Sequence, residues 1–389
     1  MQHVYFDHNA TAPVAPEVLR SFTGAVAEVY GNASSIHHFG QSARQRLEAA
    51  RRQVAARIGC AAQEIVFTSG GTESDNLAIF GVARRRLASG SCHVITSAIE
   101  HPAVLNACAR LEREGAAVTY LPVGADGMVS PDEVRAAVRP STALITIMHA
   151  NNETGTLQPA AEIGAVARGA GVLFHCDAVQ TAGRIPLQVA DLGADLLSVS
   201  GHKFGAPKGI GALYVRKGVA LDPVLYGGHH ERDRRAGTEN VPGAVALGTA
   251  ASLGFDWSAT APLRDRLERG ILERVPLAHV NGSARHRLPN TANIRFDGIE
   301  GEAMVIALDL RGYAVSSGSA CSSGAVEPSH VLLALGLRPE QARSSVRFSL
   351  GPGNTAEQVD GLIAAVVESV AHLRRISTAF SGERVVAHA

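Results

Sequence analysis

The sequence predicts an α/β protein: a mostly parallel seven-stranded sheet flanked by helices, followed by a smaller α+β part. Three observations carry this expectation. From Glu64 onward, short apolar strand runs alternate with helix-length stretches, the pattern of a mostly parallel sheet with helices on both faces. The polar motifs of this half fall at the carboxyl ends of those strands, where such sheets bind ligands. After about residue 257 the strands become fewer and more separated, which marks a second region.

In order, residues 1–13 read as extended and polar, and Ala15 to Val29 as a helix. GNASSIHHFG (31–40) is a loop of small polar residues. Ala43 to Ile58 is an amphipathic helix with Leu47, Val54 and Ile58 on one face, ended by Gly59. Strands follow at 64–69, 93–99, 117–123, 143–150 and 171–176, with helices at 72–87, 103–114 and 159–169. Ser130-Pro131-Asp132-Glu133 starts another helix, with Ser as cap, Pro at the first position and Glu three residues after the cap. DLLSVS and ALYVR complete the sheet. Beyond it, helices are expected at 263–275 and 302–310, and strands at 292–296, 314–317 and 345–350. A last long helix is capped by Thr355 and buries Val359, Leu362, Ile363, Val366, Val370 and Leu373.

The 389 residues, 46% of them hydrophobic, suffice for a large core and two domains. Lys+Arg and Asp+Glu are both 36, a balance that argues against nucleic acid or an anionic membrane as the main partner. No leader pattern opens the sequence, and no run approaches the ~18 apolar residues of a membrane span. The 5 cysteines lack CxxC spacing, which suits neither a disulfide framework nor a zinc knuckle and points to a reducing cytoplasm. The pairs His37-His38 and His229-His230 have no HExxH or matched carboxylate, so no intrinsic metal is expected.

The chemistry gathers around SVSGHKFGAPKGIGALYVR (198–216). A strand ending in a glycine-rich turn presents Lys203 at a sheet edge, where a lysine among apolar neighbours can lose its proton and bond a carbonyl. Gly70-Gly71-Thr72 lies between a strand and a helix, an anion cradle that is neither a Walker loop nor a GxGxxG fingerprint. Ser200 and His202 can add donors. Asp177 ends the apolar strand VLFHCD, where a carboxylate can keep a pyridine nitrogen protonated. Gln180 follows within reach of a ring oxygen. His101, just past another strand, can lie over a ring and shuttle protons. These are the handles that pyridoxal phosphate needs. Arg347, within an apolar strand, wants a carboxylate, supplied by a substrate or by an internal ion pair. Asn152 lies past another strand end. Cys321 alone among the cysteines is embedded in serine and glycine, a setting equally compatible with a reactive and an inert thiol.

With these motifs in view, the chain resembles the cysteine desulfurases of the NifS/IscS type, class V members of the pyridoxal-phosphate (PLP) fold type I enzymes. DHNATAPV, FTSGGTESDNLAI, HPAVL, MHANNETG, DAVQTAG, SGHKFGAPKGIGALYVR, RRAGTENVPG, SSGSACSSG, EPSHVLLALGL and SSVRFSLG carry the resemblance across residues 4–351. It implies a large PLP-binding domain of residues 14–257 and a small domain of residues 1–13 and 258–389. The nucleophile loop would span about 316–326. Lys203 would hold PLP, His101 stack on its ring, Asp177 pair with the pyridine nitrogen and Gln180 contact the ring hydroxyl. Gly71, Thr72, Ser200 and His202 would hold the phosphate, and Thr238 the phosphate of a partner subunit in a homodimer. Asn152 and Arg347 would engage cofactor and substrate carboxylate.

By the same resemblance Cys321 would take sulfur from L-cysteine as a persulfide, leaving L-alanine, and pass it to an IscU/NifU-type scaffold. There it could transiently ligate a shared iron–sulfur cluster. His229 stands where many members have a third glycine and Ala12 where some have a threonine; GTENVPG and EPSHV lean toward the nitrogen-fixation type. An aminotransferase, a selenocysteine lyase and a non-catalytic phosphate-binding protein are the competing readings.

Overall fold

A computed structural model describes residues 3–254, 256–317 and 327–376. Strand β1 (Val4–Tyr5) precedes α1 (Pro16–Glu28) and α2 (His38–Ile58). Helix α2 begins five residues before the amphipathic pattern predicts, because the His37 ring accepts the Gly40 N–H and caps it. The alternating region then runs β2 (Ile65–Thr68), α3 (Gly71–Ala88), β3 (His93–Ser97), α4 (Pro102–Arg113), β4 (Ala117–Leu121) and α5 (Pro131–Ala137). It continues through β5 (Thr142–Thr146), α6 (Ala160–Ala170), β6 (Leu173–Asp177), α7 (Val189–Leu192), β7 (Leu196–Ser200) and β8 (Gly211–Val215). As predicted, Ser130 caps α5 through the Glu133 N–H.

These strands form one seven-stranded sheet in the order β2-β8-β7-β6-β5-β3-β4. The pairs β3–β4, β3–β5, β5–β6 and β6–β7 are parallel. Strand β8 is antiparallel to both neighbours, so β2 points the same way as β7. The carboxyl ends of β2, β3, β5, β6 and β7 therefore open on a single edge of the sheet, which fixes where a ligand can sit. Apolar layers cover both faces: one around Leu47, Phe174, Leu197 and Leu247, the other around Leu77, Val94, Leu144 and Leu213.

Helix α8 (Val241–Leu253) was not predicted. Its sequence is apolar on every side, since it packs on both α1 and α2, so no amphipathic period marks it. The remaining elements are α9 (Thr260–Arg274), β9 (Ala278–Val280), β10 (Thr291–Phe296), α10 (Gly301–Asp309), β11 (Tyr313–Ala314), α11 (His330–Ala334), α12 (Pro339–Arg343), β12 (Ser345–Ser349) and α13 (Ala356–Ile376). The antiparallel sheet β12-β10-β9 is covered by α9, α10 and α13 around Phe296, Phe348, Leu267 and Leu362. The strand expected at 314–317 is shorter: β11 pairs in parallel with β1, and Ser316 bridges to Arg347. The Asp7 bridge to Ser349 then leads the upstream segment past β12 to the open edge of the large sheet.

Candidate active site

A cavity of about 370 Å³ lies at that edge, within the ~300–1,000 Å³ range of small-molecule sites. Lys203 reaches it from the short turn Gly201–Lys203 after β7, and Gly205 lets the chain leave that turn with φ +96°. The Lys203 ammonium donates to the carbonyls of Asn9 (2.7 Å) and Ala10 (2.9 Å). Burial, then the nearby Arg184 and Arg347 guanidinium groups, bring its pKa down to about 7. A lysine poised there is an available base and nucleophile at neutral pH.

Asp177 ends β6 and lines the same cavity, one oxygen accepting the Val179 N–H at 2.9 Å. Burial raises its pKa, opposed by that hydrogen bond and by attraction to His101 and Lys203 when either is protonated. Asp75, on the first turns of α3, is buried beside it with Oδ1 unpaired, and burial and the Asp177 charge push its carboxyl well up. His175, two residues before Asp177 on β6, is buried outside the cavity lining. Its ring nitrogens meet Thr146 Oγ1 (2.8 Å) and Ser198 Oγ (2.9 Å), and burial lowers its pKa to about 3, so it is neutral.

Gly71 and Thr72 open α3 at the cavity wall. A Cβ on Gly71 would stand 2.7 Å from a Val179 methyl, so only glycine leaves this cradle open. Ser200 lies beside this cradle, its Cβ 3.5 Å from where a Gly71 Cβ would stand, and His202 also lines the cavity, with its Nδ1 3.1 Å from Thr11 Oγ1. His101 caps α4 by accepting the Ala103 N–H, and burial lowers its pKa. Gln180 donates to Asn9 O at 3.2 Å and accepts from Arg184 at 2.7 Å.

Of the two alternatives for Arg347, the internal ion pair is present. Arg347 is buried, lines the cavity, pairs with Asp7 at 2.7 Å and donates to Asn152 O at 3.1 Å, while its Nε stays unpaired. Asn152 lines the cavity beside it. Thr238 is exposed and outside the lining, and Cys321 lies outside the described residues. Sequence reasoning gave no role to Asn9, Asp75 or Arg184. DHNATAPV was a visible motif, but the partners of Asn9 are Thr291, Ser349 and Arg184, contacts no local pattern reveals.

The residues present fit a phosphorylated pyridine aldehyde. The glycine cradle at a helix start suits a phosphate, the carboxyl of Asp177 a ring nitrogen, and the Lys203 amine an aldehyde. Fold and site together define an enzyme that works through pyridoxal phosphate. A family model, aminotransferase class-V, matches residues 4–362. A protein named cysteine desulfurase IscS from Methanosarcina thermophila is 50% identical over 384 residues, covering 96% of this chain and 93% of its own. A cysteine desulfurase from Trichormus azollae is 50% identical over 382 residues, covering 97% and 95%. Among solved structures, a NifS-like protein superposes with TM-score 0.89 at 37% identity over 96% of this chain and 100% of its own. The structure titled SspA in complex with cysteine gives 0.82 at 40% identity, over 90% and 99%. The chain belongs to the class-V aminotransferase family and, within it, to the cysteine desulfurases of the NifS/IscS type.

Proposed function

We propose that this protein removes sulfur from L-cysteine, releases L-alanine and keeps the sulfur as a persulfide on Cys321 for an acceptor protein. The observation that carries this reading is the cavity in which Lys203, Asp177 and Arg347 converge, in a chain half identical to named cysteine desulfurases. Pyridoxal phosphate, when bound, supplies an aldehyde for amines and a ring that withdraws electrons from the substrate carbon. Gly71, Thr72, Ser200 and His202 hold its phosphate, Asp177 its pyridine nitrogen, Gln180 its ring oxygen, and His101 covers one face of its ring. Lys203 anchors it and, once displaced by the substrate amine, takes the Cα proton on Nζ and returns it. Arg347 has five N–H donors, and its unpaired Nε leaves capacity for the substrate carboxylate beside Asn152.

The Cys321 thiolate then attacks the substrate sulfur. The electrons of the broken C–S bond stay with Cβ, which takes a proton and becomes the alanine methyl. The sulfur atom ends on Cys321, from which an IscU/NifU-type scaffold removes it for iron–sulfur cluster assembly. A homodimer completes the site, with exposed Thr238 reaching the partner's cofactor phosphate. In support, Tyr30 and Phe39 stack at 5.2 Å yet remain exposed, beside Ile36 at 91% exposure, an apolar surface suited to a second copy. Residues 14–257 form the large domain, and 1–13 with 258–389 the small one, in keeping with their separate cores. We place the protein in the cytoplasm, where its free Cys60, Cys92, Cys108 and Cys176 stay reduced. None of the described helices is long and apolar enough to cross a membrane.

The test follows alanine and sulfide together after L-cysteine is added. Cys321→Ala keeps the visible absorbance of bound cofactor but releases no sulfide, whereas Lys203→Ala loses that absorbance. Sulfide release that survives in Cys321→Ala removes the persulfide from the reading.

A further inference from the structure

Arg184, in the turn between β6 and α7, is buried against the main chain of Lys203. Its hydrogen bonds among the described residues all go to neutral acceptors: Asn9 Oδ1 (2.7 Å), Gln180 Oε1 (2.7 Å), His8 O (2.7 Å) and Lys203 O (3.0 Å). Its guanidinium also lies 4.9 Å from the Trp257 ring. A buried cation held by dipoles alone is costly to keep, and it projects its field onto whatever lies nearest.

We propose that Arg184 is a positioning residue for Lys203: it fixes the lysine's main chain and the segment whose carbonyls cradle the amine, and its buried charge repels a second positive charge there. Two contacts join the parts. Arg184 bonds the Lys203 carbonyl and also His8 O and Asn9 Oδ1, while Asn9 O and Ala10 O accept from Lys203 Nζ. The groups facing the amine are Arg184 and Arg347, which favour its neutral form, and Asp177 and Asp7, which oppose them. His202, lowered to about 4, and His101, also lowered, add no charge at neutral pH. After burial, Arg184 is the largest influence on the amine.

This inference rests on Lys203 as the cofactor lysine. The full-length protein, stripped of cofactor, is mixed with pyridoxal phosphate across a pH series, reduced with borohydride at short times, and mapped for the labelled lysine. The wild type should label Lys203 with a midpoint near pH 7. Arg184→Gln, which removes the charge, should move that midpoint up by about one unit or more, so labelling at pH 7 falls roughly fivefold or more. Arg184→Lys, which keeps the charge, should stay within about half a unit of wild type while labelling more slowly. A purely structural role predicts slower labelling in both variants with no change of midpoint. An unshifted midpoint in Arg184→Gln overturns the inference and leaves Lys203 in place. So does a wild-type midpoint near 10, which stands even where Arg184→Gln does not fold. Label on another lysine removes the reading of Lys203 and this inference with it.

Discussion

Glu231→Gln isolates the best-defined buried ion pair in the molecule. Arg51 and Glu231 are 3% and 2% exposed at their side chains and meet through two contacts, Nη1–Oε2 at 2.7 Å and Nη2–Oε1 at 2.8 Å. Glu231 also accepts the Phe67 N–H at 3.0 Å, while Arg51 donates to Ile65 O and stacks over the Phe67 ring. The pair thus bolts the segment 229–238 to strand β2. That segment runs through three consecutive non-glycine residues at positive φ, Glu231, Arg232 and Asp233 at 44°, 58° and 63°. Removing the Glu231 charge leaves the buried Arg51 guanidinium only its single contact with the more exposed Glu48 at 3.1 Å, which costs up to about 3–5 kcal/mol. The Arg51→Met/Glu231→Gln double variant should recover more than half of that loss, since nothing charged is then stranded. Urea unfolding followed by circular dichroism reads both values. A loss under about 1 kcal/mol in the single variant, or a double variant no better than the single ones, refutes this account. The same segment carries Arg235, which pairs with Glu73 at the start of α3, so Glu231→Gln should also weaken cofactor binding.

Two further outcomes follow from the buried carboxyls and the substrate grip. Burial holds Glu100 protonated up to about pH 8, against 4.5 for the free side chain. The native state therefore keeps a proton that the unfolded chain releases, and stability falls as pH rises through that window, by on the order of 4 kcal/mol. Glu100→Gln should flatten this slope in urea midpoints taken at pH 5 and pH 8; an unchanged slope rules out Glu100 as its source. Arg347→Lys removes the forked donor set while keeping a charge, so KM for L-cysteine should rise roughly tenfold or more with the cofactor still bound. An unaltered KM assigns the carboxylate to another group.

The large sheet was legible because each parallel strand is a short apolar run with a helix on either side, and its functional residues stand at strand ends, where sequence position alone gives direction. Lys203, Asp177, His101 and the Gly71-Thr72 turn could be placed for that reason. Helix α8 escaped because a helix buried all round has no polar face to set its period. The supporting cast escaped for a different cause: Asn9 joins Ser349 across 340 positions and Arg184 across 175, and such contacts leave no local trace. Arg347 could be assigned a carboxylate from its apolar setting, but only the fold shows it placed between Asp7 and the cavity.

The bridge from Asp7 to Ser349, and the pairing of β1 with β11, also set a timetable. The segment whose carbonyls hold the lysine is translated some three hundred positions before the residues that lock it, Thr291 and Ser349. Until then Lys203 has no finished seat. If Lys203 is the cofactor lysine, capture of the vitamin-derived cofactor should wait until translation has passed β12, and a nascent chain stalled before that point should take up none.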